Sequence, residues 1–270
     1  MNRIKTKIFS YASLFTFITC LSISAQAQQE VASSPKEALR LVADAWCPYN
    51  CEINSDAQGY IIDIARAIFE PLGHPVEYQN VPWSRAVRQT MAGEYDGAVG
   101  ATKDEMKGAI FHEQPIGYSG NYFVAHANSS WSYNGLASLE DVHIAAIQDY
   151  DYGDNISEYL TKNRKAYNVS IMTGDNITQR NLKLLAAGRI DVYLEDKNVA
   201  LYAAKKQGAL NDIKFVGKSN SIQALYIAFS PNNPNSQQYA KTLSKGVASL
   251  RSSGQLSEIL ARYGLTDWQK

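Results

Sequence analysis

The sequence lacks the features that mark several special classes of protein. Its 26 basic and 26 acidic residues balance to a formal net charge of zero. No run of either sign stands out, which excludes the basic stripe of a nucleic-acid-binding protein. Beyond the N-terminus, no segment is apolar for long enough to span a membrane. The 270 residues, 45% of them hydrophobic, can build one large domain or two small lobes with their own cores.

The signatures of common enzymes are also missing. There is no Gly-x-Ser-x-Gly elbow, no Gly-x-x-x-x-Gly-Lys phosphate loop and no His-x-x-x-His zinc helix. The 4 histidines are scattered without the spacing of metal ligands. We therefore predict no catalytic residue, no metal site and no cofactor. An acid/base enzyme built on Glu195 and Asp196 stays open as an alternative.

The N-terminus has the pattern of a secretory signal peptide. Three basic residues precede an apolar stretch from Ile8 to Ile23, and Ala25-Gln26-Ala27 is a small-x-small cleavage site. We predict that residues 1–27 are removed on export to the periplasm and that residues 28–37 form a mobile leader. The alternative is a membrane anchor, for which the apolar stretch is short.

Cysteine is scarce, with 3 in the sequence, and the predicted mature chain keeps only Cys47 and Cys51. An exported chain meets an oxidising compartment, where a disulfide is the default state of such a pair. A turn between the two residues would bring their Cα atoms within bridging distance. We predict a structural disulfide, with a redox pair or free thiols as alternatives.

Short apolar strands alternate with helical segments, which predicts parallel sheets with helices packed on them. The helical spacing of apolar residues from Ile61 to Leu72 is an example, and Gly73 ends that helix. The predicted strands are 39–43, 76–81, 97–101, 142–147, 169–172 and 191–194. The predicted helices are 61–72, 82–91, 155–162 and 178–187.

Two hexapeptides echo each other in the two halves of the chain. Met91-Ala92-Gly93-Glu94-Tyr95-Asp96 and Ala186-Ala187-Gly188-Arg189-Ile190-Asp191 each run from a helix end through Gly into an apolar strand. The order of elements around them is also the same. We therefore expect two similarly built lobes that face each other.

The ends of the strands predict where a ligand binds, because open parallel sheets bind ligands beyond the carboxyl ends of their strands. Aromatic residues there would clamp a small polar solute, and carboxylates would accept an ammonium group. Arg85 or Arg88 would meet a carboxylate. The predicted ligand-binding residues are Asp44, Trp46, Trp83, Arg85, Gly100, Thr102, Asp149, Tyr150, Glu195 and Asp196.

Several of these residues also have structural interpretations. Trp83 can be a core residue beside Pro82, and Thr102 can cap the turn that follows it. Arg85 can be a solvated helix position or a salt-bridge partner. The Glu195-Asp196 pair can begin a surface helix. The sequence leaves these alternatives open.

Taken in order, a set of segments resembles bacterial solute-binding protein family 3, the periplasmic amino-acid-binding proteins of ABC importers. The resemblance covers nearly the whole predicted mature chain. The segments are Ala45-Trp46-Cys47-Pro48-Tyr49, Gly59-Tyr60-Ile61-Ile62-Asp63-Ile64, Pro82-Trp83-Ser84-Arg85-Ala86, Gly93-Glu94-Tyr95-Asp96-Gly97 and Leu185-Ala186-Ala187-Gly188-Arg189-Ile190-Asp191. The C-terminal Gly254, Ile259 and Tyr263-Gly264 are also similar to such proteins.

The resemblance implies an α/β periplasmic-binding-protein fold of two lobes. Each lobe would be a mainly parallel sheet flanked by helices, and two hinge strands near 122–124 and 222–224 would join them. Lobe one would comprise 38–120 plus 224–270, and lobe two 121–223. The implied protein is a monomer that captures a small polar, amino-acid-like ligand for a membrane permease. A ligand-presenting partner of a membrane sensor and a dehydratase-like enzyme are alternatives.

The resemblance also implies roles for individual residues. Asp196 would hold the α-ammonium of an amino acid, and Trp83 would stack on the ligand. Asp44 and Trp46 would lie on the first ligand-binding turn. Such proteins usually have Ser/Thr-x-Thr-x-x-Arg after the third strand, and its Arg holds the ligand carboxylate. Here Gly100-Ala101-Thr102-Lys103-Asp104-Glu105 fills that place, so Arg85 or Lys103 would have to substitute, or the ligand differs.

Overall fold

A computed structural model describes residues 37–269, and for Asp154, Asn220 and Ser221 it describes the backbone alone. The predicted signal peptide (1–27) lies outside the described residues, and so does the predicted leader (28–37) except for Glu37. Within residues 37–269, no helix is both long enough and apolar enough to cross a bilayer.

Strands and helices alternate along the described chain. The strands are β1 (Leu39–Ala43), β2 (Val76–Asn80), β3 (Gly97–Ala101), β4 (Gly117–His126), β5 (Ile144–Ile147), β6 (Val169–Met172), β7 (Val192–Asp196) and β8 (Ile213–Phe229). The α-helices are α1 (Tyr60–Phe69), α2 (Trp83–Ala92), α3 (Asp154–Lys162), α4 (Ile177–Ala186), α5 (Lys197–Lys206), α6 (Ser236–Ser253) and α7 (Gln255–Ala261). Short 3₁₀ helices lie at Glu70–Leu72, Leu136–Asp141 and Leu210–Asp212.

Two parallel half-sheets are joined by two long strands. β1 pairs in parallel with β2 and β3, and β5 pairs in parallel with β6 and β7. Between them, β8 runs antiparallel to both β3 and β4, and β4 runs antiparallel to β7. The result is one hydrogen-bonded series, β2-β1-β3-β8-β4-β7-β5-β6. The pairing of β4 with β8 shifts register around Gly120 and Tyr122, where the series passes from one half to the other.

Each half has its own hydrophobic core. Two clusters of buried apolar residues come entirely from residues 123–216. Two others come from residues 39–116 and 225–260, with Val199 as the one buried member from elsewhere. Separate cores are expected of lobes that move against each other, because few apolar contacts then cross the boundary.

The predicted fold class is confirmed: the chain forms a two-lobe α/β fold. We call the part built on β1–β3 lobe one and the part built on β5–β7 lobe two. Residue bounds for the lobes, 38–120 plus 224–270 against 121–223, stay a prediction. β4 and β8 are the two strands that run between the lobes.

Most predicted elements agree with the structure to within two residues, and β7 is an instructive difference. The sequence predicts a strand that ends at Leu194, but β7 continues to Asp196. The reason is its antiparallel partner β4, in which Tyr122 pairs with Glu195 and Asn121 with Asp196. Both acidic residues therefore lie in the buried end of a strand.

The loop after β1 is fastened to the start of α1. The amides of Tyr60 and Ile61 donate to the carbonyls of Pro48 and Tyr49, at 3.0 and 3.1 Å. These bonds satisfy helix N-terminal donors that have no partner within the helix. Cys47 and Cys51 form a disulfide within the loop, as predicted. The backbone around Trp46 and Tyr49 is thus held in a fixed position relative to lobe one.

Gly59 is required at the junction of this loop with α1. Its φ is +105°, and a Cβ there would lie about 2.5 Å from the Cα of Asn50. Gly59→Ala should lower the free energy of unfolding by more than the about 1–3 kcal/mol of a strained φ alone. Gly135→Ala is the matched control, because Gly135 has a φ of +92° but no atom within 4 Å of its Cβ position. Urea unfolding of both variants measures the difference, and equal losses would contradict the steric role of Gly59.

Candidate functional site

A small cavity lies where the two lobes meet. Its volume is about 30 Å³, which is enough for about one or two water molecules. The walls come from the strand ends of lobe one, the start of α2, the loop after β5, and the strands β4 and β8. The lining residues are Asp44, Trp46, Trp83, Val99, Gly100, Thr102, Glu105, Ser119, Asn121, Tyr150, Asp151, Gln223 and Leu225. We call this space the inner cavity.

The structure brings together six of the ten residues that the sequence nominates. These are Asp44, Trp46, Trp83, Gly100, Thr102 and Tyr150, all in the lining of the inner cavity. They come from both lobes and from four separate strand or helix ends. This placement follows the rule that ligands bind beyond the carboxyl ends of parallel strands. Their role in binding stays a prediction.

The other four nominated residues lie outside that lining. Arg85 is exposed on α2, and Asp149 is exposed at the tip after β5, where its φ is +63°. Glu195 and Asp196 are buried at the end of β7. Both contact lobe one directly, and they therefore belong to the junction of the lobes although they do not line the cavity.

The structural alternatives for Trp83 and Thr102 hold alongside their place in the cavity. Trp83 packs in a core cluster of lobe one with Val42, Ala86 and Ala98. Thr102 caps its turn: its N–H and hydroxyl donate to Glu105 Oε2 at 3.0 and 2.8 Å, and its Oγ1 accepts from Glu105 N–H at 3.2 Å. This reciprocal cap fixes the Glu105 carboxylate at the cavity wall.

Glu105 and Asp151 are the lining residues of most consequence that sequence reasoning missed. Glu105 ends the segment Gly100–Glu105, which departs from the family pattern, and Asp151 directly follows the nominated Asp149 and Tyr150. The signal that could have found them is an acidic residue close after each strand end. Ser119, Asn121 and Gln223 were missed for another reason: they lie on the strands between the lobes, where no strand end marks them.

The inner cavity is lined by carboxylates and by no basic side chain. Asp44, Glu105 and Asp151 are its ionisable acids, and it contains no Lys, Arg or His. Burial raises the pKa of Asp44 to about 6 and also raises the pKa of Glu105. In both cases hydrogen bonds oppose the shift, from Tyr150 to Asp44 and from Thr102 to Glu105. The cavity therefore destabilises the charge of its own acids.

Glu195 is a completely buried acid bound from both lobes. Its Oε1 accepts from Trp46 Nε1 and from the backbone N–H of Asp196, each at 2.9 Å, and its Oε2 accepts from Thr178 Oγ1 at 2.5 Å. Burial raises its pKa to about 7 despite these donors, and the neighbouring Asp196 adds to the shift. Trp46 belongs to lobe one, so this hydrogen bond crosses the junction.

Asp196 is satisfied on both of its carboxylate oxygens. Oδ1 accepts from the amides of Asn198 and Val199 and thereby caps α5, and it also accepts from Tyr49 OH at 3.2 Å. Oδ2 accepts from Ser119 Oγ and Gly120 N–H at 3.1 and 3.0 Å. In this arrangement the side chain joins the lobes and has little capacity for a further donor.

Aromatic side chains carry most of the hydrogen bonds between the lobes. Besides Trp46 and Tyr49, Tyr150 of lobe two donates to Asp44 Oδ2 of lobe one at 2.5 Å. Asn198 Nδ2 donates to Tyr49 OH at 3.1 Å. Each of these bonds would break if the lobes moved apart, so together they define a closed arrangement.

A second space borders the same pair of residues. Asp44 and Tyr150 also line a groove of about 280 Å³ between the lobes. We call it the outer groove; its acids are Asp44, Glu52 and Asp175, and it too has no basic lining residue. Asp44 and Tyr150, which are joined by a hydrogen bond, are therefore the two residues that line both the inner cavity and the outer groove.

Comparison with known proteins identifies relatives over most of the chain. The profile of the "Bacterial extracellular solute-binding proteins, family 3" matches residues 39–266. A "Probable amino-acid-binding protein YxeM" from Bacillus subtilis (strain 168) is 20% identical over 218 residues, which cover 80% of this chain and 79% of that protein.

Solved structures share the fold. A histidine kinase sensor domain with similarity to periplasmic binding proteins superposes with a TM-score of 0.69 at 23% identity, covering 85% of this chain and 98% of the domain. The arginine-, lysine-, histidine-binding protein ArtJ from Geobacillus stearothermophilus gives a TM-score of 0.69 at 15% identity, with coverages of 86% and 97%. At these identities the likeness concerns the fold alone.

The raised pKa of Glu195 predicts a pH-dependent stability. Its folded-state pKa of about 7 exceeds the ordinary glutamate value of 4.5, so between these values the folded protein holds a proton that the unfolded chain has released. The contribution to the free energy of unfolding is then complete below about pH 4.5 and falls, by on the order of 3 kcal/mol, as the pH rises through about 7. Glu195→Gln should remove this slope.

Urea unfolding between about pH 5 and about pH 8 measures the effect. Glu140→Gln, the same substitution at an exposed position of lobe two, is the control and should keep the wild-type slope. A Glu195→Gln variant whose stability depends on pH as the wild type does would contradict the assignment.

Proposed function

Because this chain belongs to the bacterial extracellular solute-binding proteins, family 3, we propose that it captures a small polar solute between its lobes for an ABC-type importer in the periplasm. The predicted cleaved signal peptide would deliver it there. The observation that supports this proposal best is the junction itself. Residues from both lobes line one cavity, and direct hydrogen bonds from aromatic donors to carboxylates cross the junction of the lobes.

Closure would be the mechanism of capture. With the lobes apart, each would present half of the binding residues, and closure would bring the halves together. A solute that contacts both halves shifts the population toward the closed state by its differential affinity for that state. A membrane permease would then recognise the closed shape. No group on the protein needs to react with the solute.

A solute of amino-acid size does not fit into about 30 Å³. The simplest way to admit one is to break the hydrogen bond between Tyr150 and Asp44, which would merge the inner cavity with the outer groove. The solute would then replace that bond with contacts of its own. Tyr150 and Asp44 would thus act as an exchangeable pair, whose hydrogen bond the solute replaces when the lobes close around it.

A sensory role is the second candidate. The sensor domain of a histidine kinase has the same fold over 85% of this chain, and a captured solute can be presented to a sensor as well as to a permease. Deletion of the gene separates the two roles. Lost uptake of the solute supports import, whereas intact uptake with a lost transcriptional response supports sensing.

An enzyme on this fold is less well supported. Its acid/base pair would be Glu195 and Asp196, yet neither lines the cavity and both have their oxygens occupied by donors. Solute recovered chemically unchanged after long incubation with the protein is the expected result. Turnover that is lost on Glu195→Gln would instead establish the dehydratase-like alternative.

A thermal-shift screen of amino acids, opines, polyamines and small acids tests solute capture. A true solute should raise the melting temperature in a saturable way. Small-angle X-ray scattering should show that the radius of gyration changes when the solute binds. A solute that binds without any effect on the separation of the lobes would contradict capture by closure.

The hydroxyl of Tyr49 provides a sharper test of the closed state. Tyr49 does not line the inner cavity, but its hydroxyl contacts Asp196 and Asn198 across the junction, besides the carbonyl of Tyr118 on β4. Tyr49→Phe should destabilise the closed state relative to the open state by about 1 kcal/mol. The apparent affinity for the solute should then fall about fivefold. Isothermal titration measures this change.

Tyr95→Phe is the matched control, since it removes a tyrosine hydroxyl whose bond to Gln79 stays within lobe one. It should leave the affinity unchanged. Equal effects of the two substitutions would show that the Tyr49 hydroxyl does not act through closure.

A further inference from the structure

The inner cavity has three carboxylates and no cation to balance them. Asp44 and Glu105 come from lobe one and Asp151 from lobe two, so the acids approach from both sides. Among the described residues, none of the three forms a salt bridge with Lys, Arg or His; every ion pair there involves other acids. Their hydrogen-bond donors are neutral: Tyr150 for Asp44, Thr102 for Glu105, and Gln223 with the Gly153 amide for Asp151. Burying charges without a countercharge is costly, which favours a ligand that supplies positive charge.

The basic residues nearest in sequence do not meet this need. Arg85 is exposed on α2, away from the buried face that carries Trp83. Lys103 is also exposed, and its ammonium lies over the rings of Tyr226 and Phe111, at 4.9 and 6.0 Å from their centroids. Neither lines the cavity. A carboxylate on the ligand would therefore face three like charges and no basic side chain in that lining.

An independent observation comes from Trp83. Its side chain is buried, with 6% exposure, and it lines the inner cavity. Its indole N–H has no hydrogen-bond partner among the described residues. A buried donor without a partner is uncommon in proteins and is satisfied by an acceptor when a ligand is bound. The ligand should thus carry a neutral oxygen or nitrogen that accepts from Trp83.

The arrangement does not suit a metal ion. In the described part of the chain, no three His, Cys, Asp or Glu side chains lie close enough together to hold one. The lining of the cavity also includes the aromatic residues Trp46, Trp83 and Tyr150. Aromatic faces with separated carboxylates bind organic ammonium groups, through cation–π contacts and charge-assisted hydrogen bonds.

We propose that the solute is a small protonated amine that has no carboxylate and carries a neutral hydrogen-bond acceptor. Its ammonium group lies among Asp44, Glu105 and Asp151, and its acceptor receives the Trp83 N–H. This rests on the proposed function, since it specifies the solute that closure captures. The amine enters between the lobes by displacing Tyr150 from Asp44.

Pairs of molecules that differ by one carboxylate provide the test. Ethanolamine and serine, histamine and histidine, and tyramine and tyrosine each share an ammonium and an acceptor. Isothermal titration of the full protein should give at least one pair in which the amine binds at least about 30-fold more tightly than its amino acid. An amino acid that binds as tightly as its amine, or no binding by any of the three amines, would overturn the proposal.

Variants test the assigned contacts with the amine that binds. Glu105→Gln keeps the size of the side chain and its acceptor for Thr102, and should weaken binding at least about 10-fold. Asp151→Asn should do the same from the other lobe, which covers the case in which one variant fails to fold. Trp83→Phe keeps a smaller aromatic ring and removes the donor, and should weaken amine binding about fivefold. Asp104→Asn, at the exposed residue before Glu105, is the control and should bind normally.

Scattering measurements on the same samples separate the two hypotheses. An amino acid that binds and changes the lobe separation leaves capture by closure intact and overturns only the choice of solute. An amine that binds with no such change contradicts the proposed mechanism of capture. Unaltered amine affinity in both Glu105→Gln and Asp151→Asn would remove the ammonium from the cavity and overturn the proposal.

Discussion

The burial of carboxylates where the lobes meet is the constraint on which the rest of this structure depends. Glu195 and Asp196 at the end of β7 would be costly to bury without donors. Trp46 and Tyr49 supply donors from lobe one, and both stand on a loop that a disulfide and the start of α1 hold in place. The closed arrangement completes the hydrogen bonds of these buried acids. Opening must exchange these donors for water.

The carboxylates of the inner cavity also have hydrogen-bond donors, but these donors compensate for their burial only in part. Asp44 has Tyr150 as its donor and Glu105 has Thr102, so both are stabilised only by neutral groups. Neutral hydrogen bonds offset only part of the desolvation of an ionised carboxylate, and burial still raises the pKa of both Asp44 and Glu105. The hydrogen bonds therefore stabilise the closed junction, while the inner cavity still favours the binding of a cation.

Sequence reasoning predicted the fold well and the site in part, for a common reason. Strand ends are local features, so Asp44, Trp46, Gly100 and Tyr150 could be nominated from patterns of a few residues each. The contacts of Ser119 and Gln223 depend on how β4 and β8 pair, across about a hundred positions of sequence. No local pattern carries that information. Glu105 was within reach, because an acid followed Thr102 at capping distance, but its direction into the cavity depends on the cap itself.

The sequence nominated Arg85 as a ligand-binding residue, but the structure places it outside the cavity lining, and the periodicity of α2 explains why. On α2 the buried positions are Trp83, Ala86 and Thr90, whereas Arg85 and Arg88 are exposed. Residues two apart on a helix point to nearly opposite sides, so a Trp83 that faces the cavity already directs Arg85 toward solvent. Helical periodicity alone thus excludes the nearest guanidinium from the site. With Lys103 held over aromatic rings as well, the positive charge that this cavity lacks has to come with the solute.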